Sequence, residues 1–220
     1  MMNAKTFRLF FLSLCLFIAS AGYAESPLRG IHLSADAFGY IYPVFVKDKY
    51  YSTELSLAVN LKNRFFPVLE AGVGHTNMVS QLYEIGYSTR APYYRIGMDY
   101  NMQFKNGRPN YIYLGARVGY TAFKYSVDAP ALIDPVWGDE APVQFASVPS
   151  RSVWAEAVGG VRAEILKNIY MGWSLRYKLL LHRSAAYGGP WYIPGFGTGK
   201  KTVLGATYTI GYYFNLSKKK

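Results

Sequence analysis

The sequence predicts an all-β fold: an eight-stranded antiparallel transmembrane β-barrel with up-and-down topology and a filled polar interior. Three observations predict it. The 220 residues are rich in aromatics (17%) and include 21 Tyr and 21 Gly. From residue 30 onward, segments in which polar and apolar residues alternate follow one another. The connections between these segments alternate between long and short. Disorder and a helical membrane bundle are excluded, because aromatics are plentiful and only one long apolar run occurs.

Residues 1–24 are predicted to be a signal peptide that is cleaved after Ala24. Lys5 and Arg8 give a positively charged start, residues 9–19 form an apolar run, and a small-x-small cleavage site ends at Ala24. An uncleaved membrane anchor is the alternative, but a run of this length is short for a bilayer.

The remaining residues, 25–220, are predicted to form one barrel domain, since no linker or change of composition divides them. Cys15 is the single cysteine and lies within the predicted signal peptide. The predicted mature chain therefore has no disulfide and no cysteine-based metal site or nucleophile.

Eight segments show the period-two alternation of a strand with one apolar face. The clearest is Tyr93–Phe104, where every even position from Tyr94 to Phe104 is apolar or aromatic. No helix produces this pattern. The eight apolar faces cover residues 31–41, 53–61, 69–73, 94–104, 112–122, 153–165, 169–181 and 204–216. None of these faces contains a charged residue.

The connections between the predicted strands form two groups. Long loops are predicted at residues 43–50, 76–92, 125–150 and 184–201. Short turns are predicted at residues 62–66, 105–110 and 167–168. Antiparallel strands with long loops at one end and short turns at the other are typical of a transmembrane barrel. Both termini then lie at the turn end.

The polar faces of the strands carry both signs of charge. They comprise Asp36, Glu54, Glu70, Arg95, Asp99, Arg117, Glu156, Arg162, Glu164, Arg176 and Lys178. Only one of the five bases is lysine, and a crowded interior favours arginine, whose planar fork pairs several acceptors. We therefore predict that these residues form an interior polar network that fills the barrel.

Most of the remaining net positive charge falls at the turn end. It suits anionic phospholipid headgroups, and solvated turn residues would explain it equally well. Nucleic acid is not expected as a partner despite the pI of 9.6, because the chain is predicted to be exported and its charge forms a ring rather than a groove.

The last strand carries a resemblance to a known family. Thr209, Gly211, Phe214 and Leu216 follow a polar-x-Gly-x-x-aromatic-x-apolar pattern. This pattern resembles the assembly signal of Gram-negative outer-membrane barrel proteins, and the chain is similar to their eight-stranded superfamily along essentially its whole length. It departs from the pattern by ending in residues 217–220, Ser-Lys-Lys-Lys. The resemblance implies a bacterial outer-membrane location with periplasmic termini, and outer-membrane lipids and the assembly machinery as partners.

One segment offers candidate catalytic residues. His182 and Ser184 resemble the His-x-Ser portion of outer-membrane lipid A deacylases, in which the histidine would activate the serine hydroxyl. The orienting acid is missing, since no Asp or Glu follows Glu164. We therefore predict no catalytic residues, with a lipid-modifying enzyme that uses His182 and Ser184 as the alternative. No metal or other cofactor is expected, because the three histidines are not clustered.

The loops are the predicted binding elements. Large aromatics on loops that Pro and Gly stiffen offer contact surface at low entropic cost. The candidates are Trp137, Asp139, Glu140, Tyr187, Trp191, Tyr192 and Phe196; an interfacial aromatic belt is their alternative role. The sequence thus predicts a non-enzymatic accessory or structural outer-membrane component that binds another outer-membrane or surface protein, for example in barrel-assembly or secretion machinery. A soluble ligand-binding barrel and an open diffusion channel are further alternatives.

Overall fold

The structure is a computed structural model. It describes residues 28–37, 50–80, 85–106, 109–133, 140–185 and 189–216. The predicted signal peptide lies outside the described residues. So do three of the predicted loop contacts, Trp137, Asp139 and Tyr187, and for Glu140 only the backbone is described.

Ten strands make up almost all of the described chain. They are β1 Leu28–Asp36, β2 Tyr50–Leu61, β3 Phe65–Val79, β4 Gly86–Asn101, β5 Tyr111–Ile133, β6 Glu140–Leu166, β7 Ile169–Ala185, β8 Tyr192–Ile193, β9 Gly197–Thr198 and β10 Thr202–Asn215. One turn of 3-10 helix, Phe104–Asn106, follows β4. Among the described residues, no helix is long and apolar enough to cross a membrane.

Eight of these strands close into a barrel in the order β1-β10-β7-β6-β5-β4-β3-β2. Each barrel strand pairs antiparallel with its neighbour along the chain, and β10 closes the ring on β1. The predicted all-β, eight-stranded, antiparallel, up-and-down barrel is confirmed. The two short strands β8 and β9 form a separate hairpin.

The turn end of the barrel is built from tight connections. Between β2 and β3, Lys62 and Asn63 both have positive φ, and Arg64 N donates to Leu61 O at 3.1 Å. Between β6 and β7, the turn consists of Lys167 and Asn168, the latter with a φ of 66°. Asparagine tolerates this left-handed conformation better than most residues, so the sequence favours sharp reversals here.

Two of the predicted long loops are wrong in extent. Residues 76–92 and 125–150 are mostly strand: β3 runs to Val79 and β4 begins at Gly86, while β5 runs to Ile133 and β6 begins at Glu140. The reason is a reversal of polarity along the strands. In residues 86–92, Tyr87 and Ala91 point inward and are buried, whereas Arg90 points outward and is exposed. A search for one uninterrupted apolar face therefore ends where the strand does not.

The outer and inner faces of the barrel wall differ sharply in the polarity of their side chains. Large apolar side chains stand exposed on the outside, as at Ile96 (65%), Leu175 (71%) and Leu204 (79%). The neighbouring inward positions Arg95 and Arg176 are buried. This is the reverse of a water-soluble barrel, in which the apolar side chains face the lumen.

The lumen is filled in three layers. The turn-end layer is aromatic and apolar: Ala58, Phe66, Val68, Tyr111, Tyr113 and Val158. The middle layer, which we call the charged layer, consists of Glu54, Glu70, Arg95, Asp99, Arg117, Glu156 and Arg176. The loop-end layer is again aromatic and apolar: Tyr87, Ala91, Tyr93, Phe123, Tyr125, Val148, Trp154, Tyr192, Ile193 and Phe196.

Candidate functional site

The charged layer is centred on Glu70 of β3. Its carboxylate accepts hydrogen bonds from Arg95 Nη1 at 3.1 Å, Arg117 Nε at 3.2 Å and Arg176 Nη1 at 2.7 Å. Three guanidinium groups from β4, β5 and β7 therefore converge on one buried carboxylate. Such an arrangement withstands burial only if further acids balance the charge.

Those acids complete the layer. Arg95 contacts Glu54 at 2.5 Å and Glu156 at 2.9 Å, and Arg176 contacts the same two glutamates at 3.3 Å each. Asp99 pairs with Arg117 at 2.8 Å. The layer thus joins strands β2 to β7 through bonds that cross the lumen, and all seven side chains are buried.

The structure brings seven of the eleven predicted interior residues into this layer. They are Glu54, Glu70, Arg95, Asp99, Arg117, Glu156 and Arg176. Lys178 lies on the loop-end side, where its Nζ donates to Gly195 O at 2.7 Å. Asp36 is buried at the end of β1.

The remaining two predicted interior residues lie toward the turn end, apart from the layer. Arg162 belongs to the turn-end side, where it donates to Tyr111 Oη at 2.7 Å and its guanidinium lies 5.3 Å from the Tyr113 ring centre. Glu164 accepts from Asn168 N at 2.8 Å and so stabilises the turn after β6. The alternation of polar and apolar residues predicted the inward face for both residues but gave neither of them a partner.

The loop after β7 folds back into the mouth of the barrel. We call residues 191–198, which include β8 and β9, the inner hairpin. Its turn is formed by Ile193, Pro194, Gly195 and Phe196, with Phe196 N donating to Ile193 O at 3.1 Å and Gly195 at a φ of 78°. Proline second and glycine third is the sequence signature of a type II turn.

Hydrogen bonds hold this turn against the charged layer. The Gly195 carbonyl accepts from Arg95 Nη2 at 2.8 Å and from Lys178 Nζ at 2.7 Å. Nearer the loop end, Tyr87 Oη donates to Tyr192 O at 2.9 Å. The hairpin therefore shares the Arg95 guanidinium with the ion pairs beneath it.

Close packing of rings completes the closure. The Phe196 ring packs edge to face against the Trp154 ring, with ring centres 5.9 Å apart. Gly195 lies so close to Tyr93 that a side-chain carbon at this position would overlap the ring. Together with the hydrogen bonds, these contacts fix the inner hairpin as a plug.

This plug corrects part of the predicted binding surface. Tyr192 and Phe196 were expected to face a partner, but both are buried in the loop-end layer, because the barrel mouth offers their rings an apolar environment. Trp191 remains 41% exposed and stacks on Tyr87 with ring centres 5.6 Å apart. The Ile-Pro-Gly-Phe turn, together with inward aromatics on β4 and β5, is the sequence signal that could have shown this.

The candidate catalytic pair lies on the outer wall. His182 and Ser184 are both exposed near the loop end of β7. Their register partners on β6 are Val153 and Arg151, so that strand offers no carboxylate beside them. Within the described part of the chain, no group of three His, Cys, Asp or Glu side chains could hold a metal ion.

The residues of the predicted assembly signal occupy both faces of β10. Phe214 and Leu216 are exposed on the outer wall. Gly211 packs closely against Ser34 of β1, where the barrel closes. Thr209 donates from Oγ1 to Gly172 O at 3.4 Å.

Comparison with known proteins places the chain in a family. The family model described as "Domain of unknown function (DUF6048)" matches residues 19–219. The chain belongs to the DUF6048 family. No curated protein matches this DUF6048 chain. Among solved structures, Neisserial surface protein A is similar at 13% identity and a TM-score of 0.38, over 87% of the DUF6048 chain and 98% of the Neisserial chain.

The DUF6048 barrel has one wall taller than the rest. β5 has 23 residues and β6 has 27, whereas the other barrel strands have 9 to 17. We call residues 127–145 the tall hairpin. Its pairing continues from Val127 with Phe145 to Ile133 with Glu140, with an irregularity after Ala129.

Neighbouring strands do not follow the tall hairpin upward. The pairing of β4 with β5 ends at Gly86 with Asp128, and that of β6 with β7 ends at Ser150 with Ala185. Within the described residues, the outer backbone edges of the tall hairpin beyond these pairs therefore lack a neighbouring strand.

Proposed function

We propose that this chain is a non-enzymatic integral outer-membrane barrel that serves as a structural or accessory component. Its loop end binds another protein of the outer membrane or the cell surface. The observation that carries the proposal is the sealed lumen: the charged layer and the inner hairpin fill it. The surfaces left for function are the outer wall and the loop-end rim.

The wall supports placement in a membrane. Exposed side chains such as Ile96, Leu175 and Leu204 form an apolar exterior that water would not favour. The charged side chains that a soluble protein would display are inside, neutralised by one another. The predicted signal peptide and the assembly pattern of β10 add the outer membrane as the location, with the termini in the periplasm.

The tall hairpin is the best candidate for partner binding. It extends past its neighbours, and its unaccompanied edges present backbone N–H and C=O groups that can accept a strand from another protein. A loop retained only to close the barrel would not need this length. We therefore assign the accessory role to the tall hairpin rather than to the buried aromatics of the inner hairpin.

Shortening the tall hairpin is expected to abolish a specific complex. Asp128 and Gln144 are register partners, so Asn-Gly can replace residues 129–143 as a two-residue turn without disturbing the wall. The tagged full-length and shortened proteins would be isolated in detergent from native membranes. We expect a protein in fixed stoichiometry with the full-length barrel only, and reciprocal capture through that protein should recover the barrel.

The matched control shortens a different connection at the same end. Val79 and Gly86 are also register partners, so Asn-Gly can replace residues 80–85. This variant should retain the complex. A complex that survives loss of the tall hairpin, or no complex with the full-length protein, contradicts the proposed role.

A lipid-modifying enzyme is the second candidate, favoured by one observation. Ser184 and His182 face outward at the loop end, and Ser184 lines a groove on the outer wall. Since β6 places Val153 and Arg151 beside them, we expect the Ser184→Ala variant to leave the lipid A acylation pattern of the host membrane unchanged. Mass spectrometry of lipid A from wild-type, Ser184→Ala and deletion strains checks this. A pattern altered equally in the last two would establish the enzyme.

A further inference from the structure

A groove of about 630 Å³ crosses the outer wall at the loop end. Its floor includes Pro92, Ala122 and Pro149, and its cationic lining residues are Arg90, Lys124 and Arg151. We infer that this basic groove binds the phosphate headgroup of a lipid in the leaflet at the loop end. The inference rests on the proposed membrane placement and is independent of the proposed partner.

Strand pairing brings the three cations together. Thr89 pairs with Tyr125, which places Arg90 next to Lys124. On the other side, Ala122 pairs with Arg151, diagonally across from Lys124. Adjacent strands are about 4.8 Å apart, so the ends of these long side chains can meet on one phosphate. The guanidinium forks of two of them suit its oxygens.

Among the described residues, no acid lies beside these cations, in contrast to those inside the barrel. Each side chain is exposed, and none forms an ion pair with a carboxylate of the described residues. The register partners of Lys124 and Arg151 are Pro149, Ala122 and Ser184, which are uncharged. With respect to the described residues, the groove therefore carries unpaired positive charge, which is complementary to an anion.

The height of the groove on the wall indicates a lipid as the source of that anion. Below the cations on the same two strands lie Tyr94 and Tyr120, both exposed, and then Ile96 and Val118. Tyrosines mark the level of lipid headgroups, and the aliphatic residues mark the acyl chains. A lipid whose chains cover Ile96 and Val118 would therefore present its headgroup to the cations.

Titration of the folded barrel in detergent micelles with phosphorylated lipid A, followed by native mass spectrometry, tests the inference. The test variant is Arg90→Gln/Lys124→Gln/Arg151→Gln, and the charge-matched control is Lys62→Gln/Lys105→Gln/Lys167→Gln at the turn end. Near a membrane surface each cation contributes about fivefold to binding, so the test variant should bind roughly a hundredfold more weakly. The control should retain wild-type affinity.

Two further probes separate the sources of the anion. Lipid A without phosphate should bind the wild-type barrel as weakly as phosphorylated lipid A binds the test variant. Inorganic phosphate at the same concentration should not displace the phosphorylated lipid. The single variant Lys124→Gln, with an expected loss of about fivefold, serves if the triple variant fails to show heat-modifiable gel migration.

Three results would overturn the inference: equal binding by wild type and test variant, an equal loss in the control, or displacement by inorganic phosphate. If the wild-type barrel needs detergent but binds no lipid, lipid binding by the groove is refuted and the proposed membrane placement is not. A wild-type protein that stays in solution without detergent refutes the membrane placement, and with it the proposed function.

Discussion

Replacing Arg176 by leucine is expected to lower the free energy of unfolding by about 3–5 kcal/mol. Arg176 contacts Glu70 at 2.7 Å and both Glu54 and Glu156 at 3.3 Å, and all four side chains are buried. Its removal leaves three glutamates facing the cations of Arg95 and Arg117 in a lumen that the inner hairpin closes. Urea titration in detergent micelles, monitored by tryptophan fluorescence and gel migration, measures the change.

Arg162→Leu is the matched control, because the same change is made to an arginine of the same lumen. Arg162 donates to the neutral Tyr111 hydroxyl at 2.7 Å, so its loss strands no contacting carboxylate, and we expect a decrease of only about 1–2 kcal/mol. Equal losses for the two variants, or a stable Arg176→Leu protein, would mean that ion pairing does not organise the interior.

Replacing Gly195 by alanine is expected to expel the inner hairpin from the barrel mouth. The residue has a φ of 78°, which disfavours alanine by about 1–2 kcal/mol. In addition, the new methyl group would overlap the Tyr93 ring. Relief requires the turn to move out, which breaks the bonds from Arg95 and Lys178 to the Gly195 carbonyl.

A cysteine probe can follow this movement. Cys15 is the single cysteine of the sequence and lies in the predicted signal peptide, so an Ile193→Cys reporter in the fully buried turn would carry the only thiol of the mature chain. Maleimide should label the reporter slowly in the parent barrel and at least tenfold faster with Gly195→Ala. The control Gly189→Ala has a similar φ of 80° but meets only the Arg183 guanidinium, and should not accelerate labelling. Unchanged labelling with Gly195→Ala would show that the hairpin is not held by this fit.

The barrel and its lining could be predicted from sequence because both depend on local alternation. Within β4, Arg95 and Asp99 are set against Ile96 and Met98 by position alone, and a closed wall has only two faces. The ion-pair partners of these charged residues could not be predicted from alternation. Arg176 meets Glu54, which lies 122 residues earlier in the chain, and only the register of intervening strands brings the two together.

The extent of the strands at the loop end could not be predicted, because the polarity of the inner and outer faces of the wall changes there. Where the wall leaves the apolar belt, inward residues such as Tyr87 and Phe123 become aromatic and outward residues such as Arg90 and Lys124 become charged. An apolar face that switches sides looks like the end of a strand. For the same reason the aromatics Tyr192 and Phe196 suggested an exposed contact surface, although they pack into the barrel mouth.

The cross-lumen ion pairs also have a consequence for how the protein reaches its final form. Arg176 arrives on the seventh strand, long after Glu54 and Glu70 on the second and third. Until then the four carboxylates of the charged layer meet only the guanidinium groups of Arg95 and Arg117. In the proposed membrane, an open sheet would carry this excess negative charge into the hydrocarbon, which strongly opposes it. For the proposed outer-membrane barrel, we therefore expect insertion to be close to all-or-none, with the wall entering the bilayer only after β7 has supplied Arg176.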